Sequence, residues 1–111
     1  MITQTLAQEV SQLEADLCFA LADPSRILIL YTLDEKSRNV TEITNELDIT
    51  QPTASRHLKI LRDRGLVHTE RNGTTIIYHL SDRRLIDALD ILRSVLRDRI
   101  ARRASLMEEI E

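Results

Sequence analysis

The stretch from Thr41 to Leu80 places two short helical patterns, a tight break and a paired-strand pattern directly after one another. The break lies at Asp48–Thr50, where the helical periodicity of apolar residues is interrupted. Two strands, Leu66–Arg71 and Thr74–Leu80, flank Asn72-Gly73, the pair that best tolerates the positive φ angles of a two-residue hairpin turn. This order predicts a winged helix-turn-helix.

Helices are also predicted before and after this motif. A first helix over about residues 3–21 depends on apolar residues at steps of three and four, namely Leu6, Val10, Leu13, Leu17 and Ala20. The second runs from Pro24 to about Asp34, because Asp23 can cap free backbone NH groups and proline fits a first helical position. After a short loop, the third helix covers about Thr41–Leu47.

The fourth predicted helix begins at Thr50 or Gln51 and ends at Gly65, and its two faces differ in chemistry. The inner face consists of Ala54, Leu58 and Leu61, with a packed His57 beside them. The outer face carries Pro52, Arg56, Lys59 and Asp63, flanked by Thr53 and Ser55. Hydroxyls bond phosphates or base edges, and arginine can make a bidentate contact to guanine, so Arg56 is the strongest single candidate for direct base readout.

The distribution of charge supports a nucleic-acid partner, although the net charge of the chain is −3. Residues 1–23 contain four acidic side chains and no Lys or Arg. Residues 50–80 contain five basic side chains against two acidic ones. Phosphate repels the first segment and attracts the second.

The predicted wing tip, Arg71-Asn72-Gly73-Thr74, is small, polar and basic. It can lie along a phosphate backbone or reach into the minor groove, and the alternative is an ordinary solvated turn. Between Asp82 and about Ile110 the chain has neither Gly nor Pro, and this predicts a helix of about 29 residues and roughly 43 Å. A domain this small cannot cover such a helix, so we expect it to pair with a second copy.

Composition restricts the remaining function classes. Apolar residues make up 42% and charged residues 30% of 111 residues, which is typical of one globular domain. No apolar run reaches the roughly 20 residues that cross a bilayer, and no signal peptide is apparent, so we expect a cytoplasmic protein without a membrane partner. With two glycines, no phosphate-cradling loop, and no nucleophile beside a base, an enzyme is not expected.

Three phrases of the sequence together resemble the ArsR/SmtB family of transcriptional repressors: ALADPSRILIL, VTEITNELDITQPTASRHLKILRDRGLV and RNGTTIIYHL. The likeness is close from Ala20 to Leu80 and extends in pattern to the flanking helices. It implies a mainly α fold with a small β-hairpin, in the order α1-α2-α3-α4-β1-β2-α5. It also implies a homodimer that binds double-stranded DNA at a pseudo-palindromic operator and leaves it when a small-molecule or redox inducer acts.

The resemblance also implies roles for individual residues. Recognition positions fall on Gln51, Thr53, Ser55, Arg56 and Lys59. Wing contacts fall on Arg71, Asn72 and Thr74, and Thr41 is a candidate phosphate contact. The dimer interface implied by the first and last helices comprises Leu6, Val10, Leu13, Leu17, Leu85, Leu89, Leu92 and Leu96.

The chain departs from the family in its sensing residues. TEITNELDI, in the third helix, has no thiol, and no histidine follows His79, so the usual metal-ligand sets are missing and neither metal nor cofactor is expected. The single cysteine, Cys18, is a candidate redox residue, with a buried and inert thiol as the favoured alternative. His68 and His79 are predicted to be diagonal neighbours across the hairpin, where packing or exposure is favoured over metal binding.

The sequence therefore predicts one domain over residues 1–111, with dimerisation helices at 1–22 and 82–111, a helix-turn-helix at 41–65 and a wing at 66–80. The leading function is a sequence-specific, dimeric DNA-binding repressor. The alternative is a winged-helix module that binds another protein.

Overall fold

A computed structural model describes residues 1–110 as five α-helices and one antiparallel β-hairpin. The helices are α1 Gln4–Leu13, α2 Pro24–Glu35, α3 Val40–Leu47, α4 Gln51–Asp63 and α5 Arg84–Ile110. The strands are β1 Val67–Asn72 and β2 Thr75–Leu80. The predicted order of elements is confirmed, and no helix within the described residues is long and apolar enough to cross a membrane.

Each helix of the central part begins where a polar side chain satisfies free backbone NH groups. The Asp23 carboxylate accepts from the Ser25 NH at 2.8 Å, and this bond lowers the pKa of Asp23 below its usual value. Asn39 and Glu42 form a reciprocal capping box at the start of α3. Thr50 caps α4, with Pro52 in its first turn. These caps explain why the predicted starts agree with the structure to within a residue or two.

The core is built mainly from branched aliphatic side chains contributed by α2, α3, α4, β1 and α5. Its fully buried members include Ile29, Leu30, Ile43, Leu58, Leu61, Leu66 and Ile86. Tyr31 of α2 also donates a 2.6 Å hydrogen bond to Asp90 of α5, and burial together with this bond raises the pKa of the phenol. At the start of α5, the Arg84 guanidinium holds the pKa of Asp82 at about 2.

The first helix does not run unbroken to residue 21, which corrects the prediction. It ends as an α-helix at Leu13 and continues as a π-helical turn, Glu14–Cys18, in which the Phe19 NH bonds the Glu14 carbonyl at 3.0 Å. A 3-10 turn, Ala20–Ala22, then leads into α2. Apolar periodicity does not indicate the break. Arginine side chains bind carbonyl oxygens of this segment: Arg26 of the next helix binds those of Phe19 and Ala20, and Arg64 binds that of Ala15.

The hairpin register differs by two residues from the one predicted. Asn72 pairs with Thr75, so the turn is Gly73-Thr74 rather than Asn72-Gly73. Of the two turn residues, only Gly73 has a positive φ, +67°, and glycine at the first central position is the pattern of a type II′ turn. His68 consequently lies directly opposite His79 instead of diagonal to it.

A third backbone segment pairs with the free edge of β2. Arg38 and Tyr78 form an antiparallel bridge through two backbone hydrogen bonds of 3.2 and 2.8 Å. The buried Arg38 side chain also donates to the Thr32 carbonyl and contacts Glu35 and Glu46. This bridge ties the wing to the loop that precedes α3.

The molecule is elongated because its two terminal helices extend beyond the core. The principal extents are 61 × 42 × 22 Å and the radius of gyration is 17.6 Å, against about 13 Å for a compact domain of this size. No residue of α1 is buried, and α5 buries only Ile86 and Leu89. Both helices therefore present apolar side chains to the exterior.

We expect Asn39→Ala to lower the free energy of unfolding by about 1 kcal/mol, because it removes the cap of α3. Urea denaturation at one protein concentration measures the change. Asn45→Ala, an exposed position inside the same helix, is the matched control and should leave the stability unchanged or slightly higher. Equal losses in the two variants would contradict the role of the cap.

Candidate nucleic-acid interface

One face of helix α4 packs against the core, and the opposite face is exposed. Ala54, Leu58 and Leu61 are fully buried, and His57 is 7% exposed. Four of the five predicted recognition residues lie on the exposed side: Gln51, Ser55, Arg56 and Lys59. Thr53 is half-buried, and its hydroxyl accepts a 2.9 Å hydrogen bond from the Thr50 hydroxyl in the helix cap.

The two cations on the outer face differ in their partners. Lys59 forms a 2.9 Å ion pair with Asp63, one turn later on the same face. Within residues 1–110, Arg56 has neither an ion pair nor a side-chain hydrogen bond. Its guanidinium is therefore available for the paired acceptors of a guanine edge without first losing a protein contact.

The register of the hairpin determines which side chains face α4. Side chains alternate along a strand, so Thr69 and Arg71 share a face with the buried Val67 and with Tyr78. Tyr78 lines a surface groove against Ser55, Lys59, Arg62 and Asp63. Arg71 accordingly lies on the face that is continuous with the recognition helix. Asn72 and Thr74 are exposed near the tip of the hairpin.

Thr41 lies in the first turn of α3, next to the wing. It is exposed, and a second groove brings Asn39 to Thr41 together with Thr74 to Ile76 and Tyr78. Free backbone NH groups at a helix start favour an anion. The predicted phosphate contact at Thr41 and the predicted wing contacts thus border one continuous surface.

His68 and His79 stack on the opposite face of the wing. Their ring centroids are 5.0 Å apart with an interplanar angle of 14°. His79 contacts Glu70 at 3.0 Å and Ser37 at 2.5 Å, and His68 contacts Ser81 at 3.3 Å. Among residues 1–110, no group of three or more His, Cys, Asp or Glu side chains is arranged to hold a metal ion.

Cys18 is exposed, whereas the favoured alternative at the sequence level was a buried thiol. The segment that carries it is peripheral, since no residue of α1 or of the π-helical turn is buried in the single chain. The thiol can therefore meet solvent in a single chain. Its redox role stays a prediction.

The exposed apolar residues of the terminal helices overlap only partly with the predicted interface. Leu6, Val10 and Leu13 of α1 are 42–50% exposed, and Leu92 and Leu96 of α5 are 62% and 56% exposed. Leu89 is a correction: it is 5% exposed and belongs to the core of the single chain, and Leu17 and Leu85 are half-buried against that core. Sequence reasoning missed exposed side chains at Ile91, Val95 and Ile100, which the 3.6-residue period places beside Leu92 and Leu96.

Comparisons with known proteins agree with this arrangement. Residues 23–69 match the family model described as bacterial regulatory protein, arsR family. The chain is 41% identical over 78 residues to the transcriptional repressor SmtB of Mycobacterium tuberculosis, covering 70% of this chain and 58% of that one. It is 33% identical over 81 residues to the biofilm growth-associated repressor of Xylella fastidiosa, covering 73% and 71% respectively.

A solved structure shows the same fold. The homodimeric winged helix-turn-helix DNA-binding domain Mb0332 from Mycobacterium bovis superposes with a TM-score of 0.75 at 26% identity. The match covers 89% of this chain and 91% of that domain. The chain spans only 58% of the length of the mycobacterial SmtB.

We expect Asp63→Asn to strengthen binding to any DNA duplex by roughly two- to fivefold, because it releases Lys59 and removes a negative charge from the outer face of α4. Fluorescence anisotropy at two salt concentrations measures the affinity and its salt slope. Asp87→Asn, an exposed acid on α5, makes the same charge change elsewhere and is the control. An equal gain in both variants would contradict the proximity of Asp63 to the duplex.

Proposed function

We propose, because this chain belongs to the ArsR/SmtB family of transcriptional regulators, that it is a sequence-specific DNA-binding repressor. The observation that carries the proposal is the outer face of α4, where Ser55, Arg56 and Lys59 are exposed beside a basic wing. An α-helix with such a surface fits the major groove of B-DNA. The relatives named above are repressors. Their similarity to this chain therefore favours a repressor over an enzyme or a module that binds only other proteins.

The proposed working form is a homodimer in the cytoplasm, where the chromosome lies. Large apolar side chains of α1 and α5 are about half exposed or more in the single chain. An apolar surface of this extent, on two helices that leave the body of the molecule, is typical of an interface. The Mycobacterium bovis domain, with the same fold, is a homodimer.

In a twofold dimer, two copies of α4 would enter successive major grooves of a pseudo-palindromic operator, about 34–36 Å apart. Arg56 is proposed to read base edges, with Gln51, Thr53 and Ser55 beside it. Lys59, Arg71 and Thr41 are proposed to contact phosphates, and Asn72 and Thr74 the adjacent backbone or minor groove. These roles assign base readout to α4 and positioning to the surrounding elements.

Release from DNA is proposed to follow an inducer that is a small molecule or an oxidant. The metal-ligand sets typical of the family do not occur in this sequence, since α3 has no thiol and α5 has no histidine. The exposed Cys18 is the residue that an oxidant would reach.

We expect Arg56→Ala to weaken binding to a selected operator by about 1 to 3 kcal/mol and to relax base preference, because a bidentate contact is lost. Arg71→Ala should instead weaken all duplexes alike and reduce the salt slope, because it removes a phosphate contact. Selection of bound sequences from a random duplex library, followed by titration, measures both effects. The same loss on operator and unrelated DNA in Arg56→Ala would refute direct readout.

We expect the double substitution Leu92→Glu and Leu96→Glu to yield monomers, because charges would replace apolar side chains that are more than half exposed in the single chain. Light scattering measures the mass, and circular dichroism checks that the fold persists. Substitution is preferable to removal of α5, whose Ile86 and Leu89 belong to the core. Thr74→Glu in the wing is the control, and a dimer in both variants would refute this interface.

A further inference from the structure

Two arginines bind the irregular segment between α1 and α2, here called the junction and comprising residues 14–22. Arg26 of α2 donates from Nε to the Ala20 carbonyl at 2.7 Å and from Nη2 to the Phe19 carbonyl at 3.3 Å. Arg64, which caps the C-terminus of α4, donates to the Ala15 carbonyl and lies 3.6 Å from the Asp16 carboxylate. The junction is thus held at one end by the core helix α2 and at the other by the end of the recognition helix α4.

The Phe19 ring lies within 6 Å of both guanidinium groups. The Arg64 guanidinium carbon is 4.6 Å from the ring centroid and that of Arg26 is 5.9 Å away. Both distances are within the range of a cation–π interaction. Phe19 is 50% exposed and is not part of the hydrophobic core, so its ring is accessible while it lies close to these two cations.

Arg26 also reaches the recognition helix directly. Its Nη1 lies 3.2 Å from Nδ1 of His57, and both residues are less than 9% exposed. Because arginine can only donate, Nδ1 of His57 accepts this hydrogen bond. His57 directly follows Arg56 in the sequence. The contact between Arg26 and α4 therefore lies next to the side chain that is proposed to read bases.

We propose that Arg26, Arg64 and Phe19 are positioning residues that couple the junction to the recognition helix, so that the orientation of α4 on DNA depends on the conformation of residues 14–22. The proposal relies on the DNA-binding function proposed above. The junction contains a π-helical turn, in which backbone hydrogen bonds join residues five apart instead of four. It therefore cannot become a regular α-helix without exchanging those bonds. In the proposed dimer, the partner holds α1 at one end of the junction. A conformational change in α1 would therefore be transmitted to α4 through the contacts at His57 and Arg64.

The test compares Phe19→Leu, Arg64→Ala, their double variant and Phe19→Trp. Neither position is buried, so the fold should tolerate each change. The DNA probes are a duplex selected by the wild-type dimer from a random library and an unrelated duplex of equal length. Titrations are made above the dimer dissociation constant of each variant, as measured by light scattering.

Phe19→Leu and Arg64→Ala should each weaken binding to the selected duplex by roughly two- to tenfold, the size expected from losing a cation–π contact and its hydrogen bonds. The double variant should be no weaker than the weaker single variant, and Phe19→Trp should bind like wild type. Phe19→Leu should leave both the salt slope and the affinity for unrelated DNA unchanged. Wild-type binding by Phe19→Leu, multiplicative losses in the double variant, or equal losses on both duplexes would overturn the proposal.

Arg62→Ala is the charge control, because Arg62 is an exposed arginine of α4 that makes none of the contacts with the junction. It should weaken both duplexes equally. If the wild-type protein enriches no sequence at all, the proposed function is refuted. The coupling between the junction and α4 is then tested by hydrogen exchange in the absence of DNA. Hydrogen exchange of free Phe19→Leu should be faster both in residues 14–22 and in residues 57–64, and a change confined to 14–22 would overturn the coupling.

Discussion

The burial of one narrow face of α4 is the constraint on which the rest of the structure depends. Ala54, Leu58 and Leu61 are fully buried, and between them they fix the rotation of a 13-residue helix about its own axis. Once that rotation is fixed, the 3.6-residue period leaves Ser55, Arg56 and Lys59 on the outside. A polar residue at Leu58 would weaken this constraint, because Ala54 and Leu61 alone would have to keep the apolar side of the helix against the core. The charged surface of α4 is thus a consequence of its apolar surface.

The small size of the core also explains why we propose a homodimer. Its core is formed from α2, α3, α4, β1 and the first turns of α5, and this core leaves α1 with no buried residue. Val10 of α1 and Leu92 and Leu96 of α5 are half exposed or more in the single chain. In the proposed homodimer, burial of such side chains against the second copy would add stability. It would also fix the separation of the two recognition helices, which must match the spacing of the operator half-sites.

The sequence allowed the helices, their starts and the outer face of α4 to be predicted, because caps and apolar periods are local signals. Its failures were non-local. Asn72-Gly73 is the stronger turn dipeptide, yet the observed register is shifted by two residues, and in it Tyr78 of β2 also pairs with Arg38 at its other edge. Likewise, only the fold brings Arg64 to the Ala15 carbonyl, 49 residues away, and so the π-helical turn and the exposed Cys18 had no local signature.

The two acidic side chains within the basic segment differ in their position relative to the proposed DNA surface. Asp63 is paired with Lys59 on the outer face of α4, and Glu70 contacts His79 on the face of the wing away from α4. Asp63 therefore lowers the attraction of α4 to any phosphate backbone, whereas Glu70 lies on the face of the wing that points away from the proposed DNA surface. Within residues 1–110, Arg56 forms no ion pair, so its guanidinium is available for the proposed base contact. Because Asp63 lowers the proposed affinity for every duplex alike, sequence preference depends on base contacts such as the one proposed for Arg56.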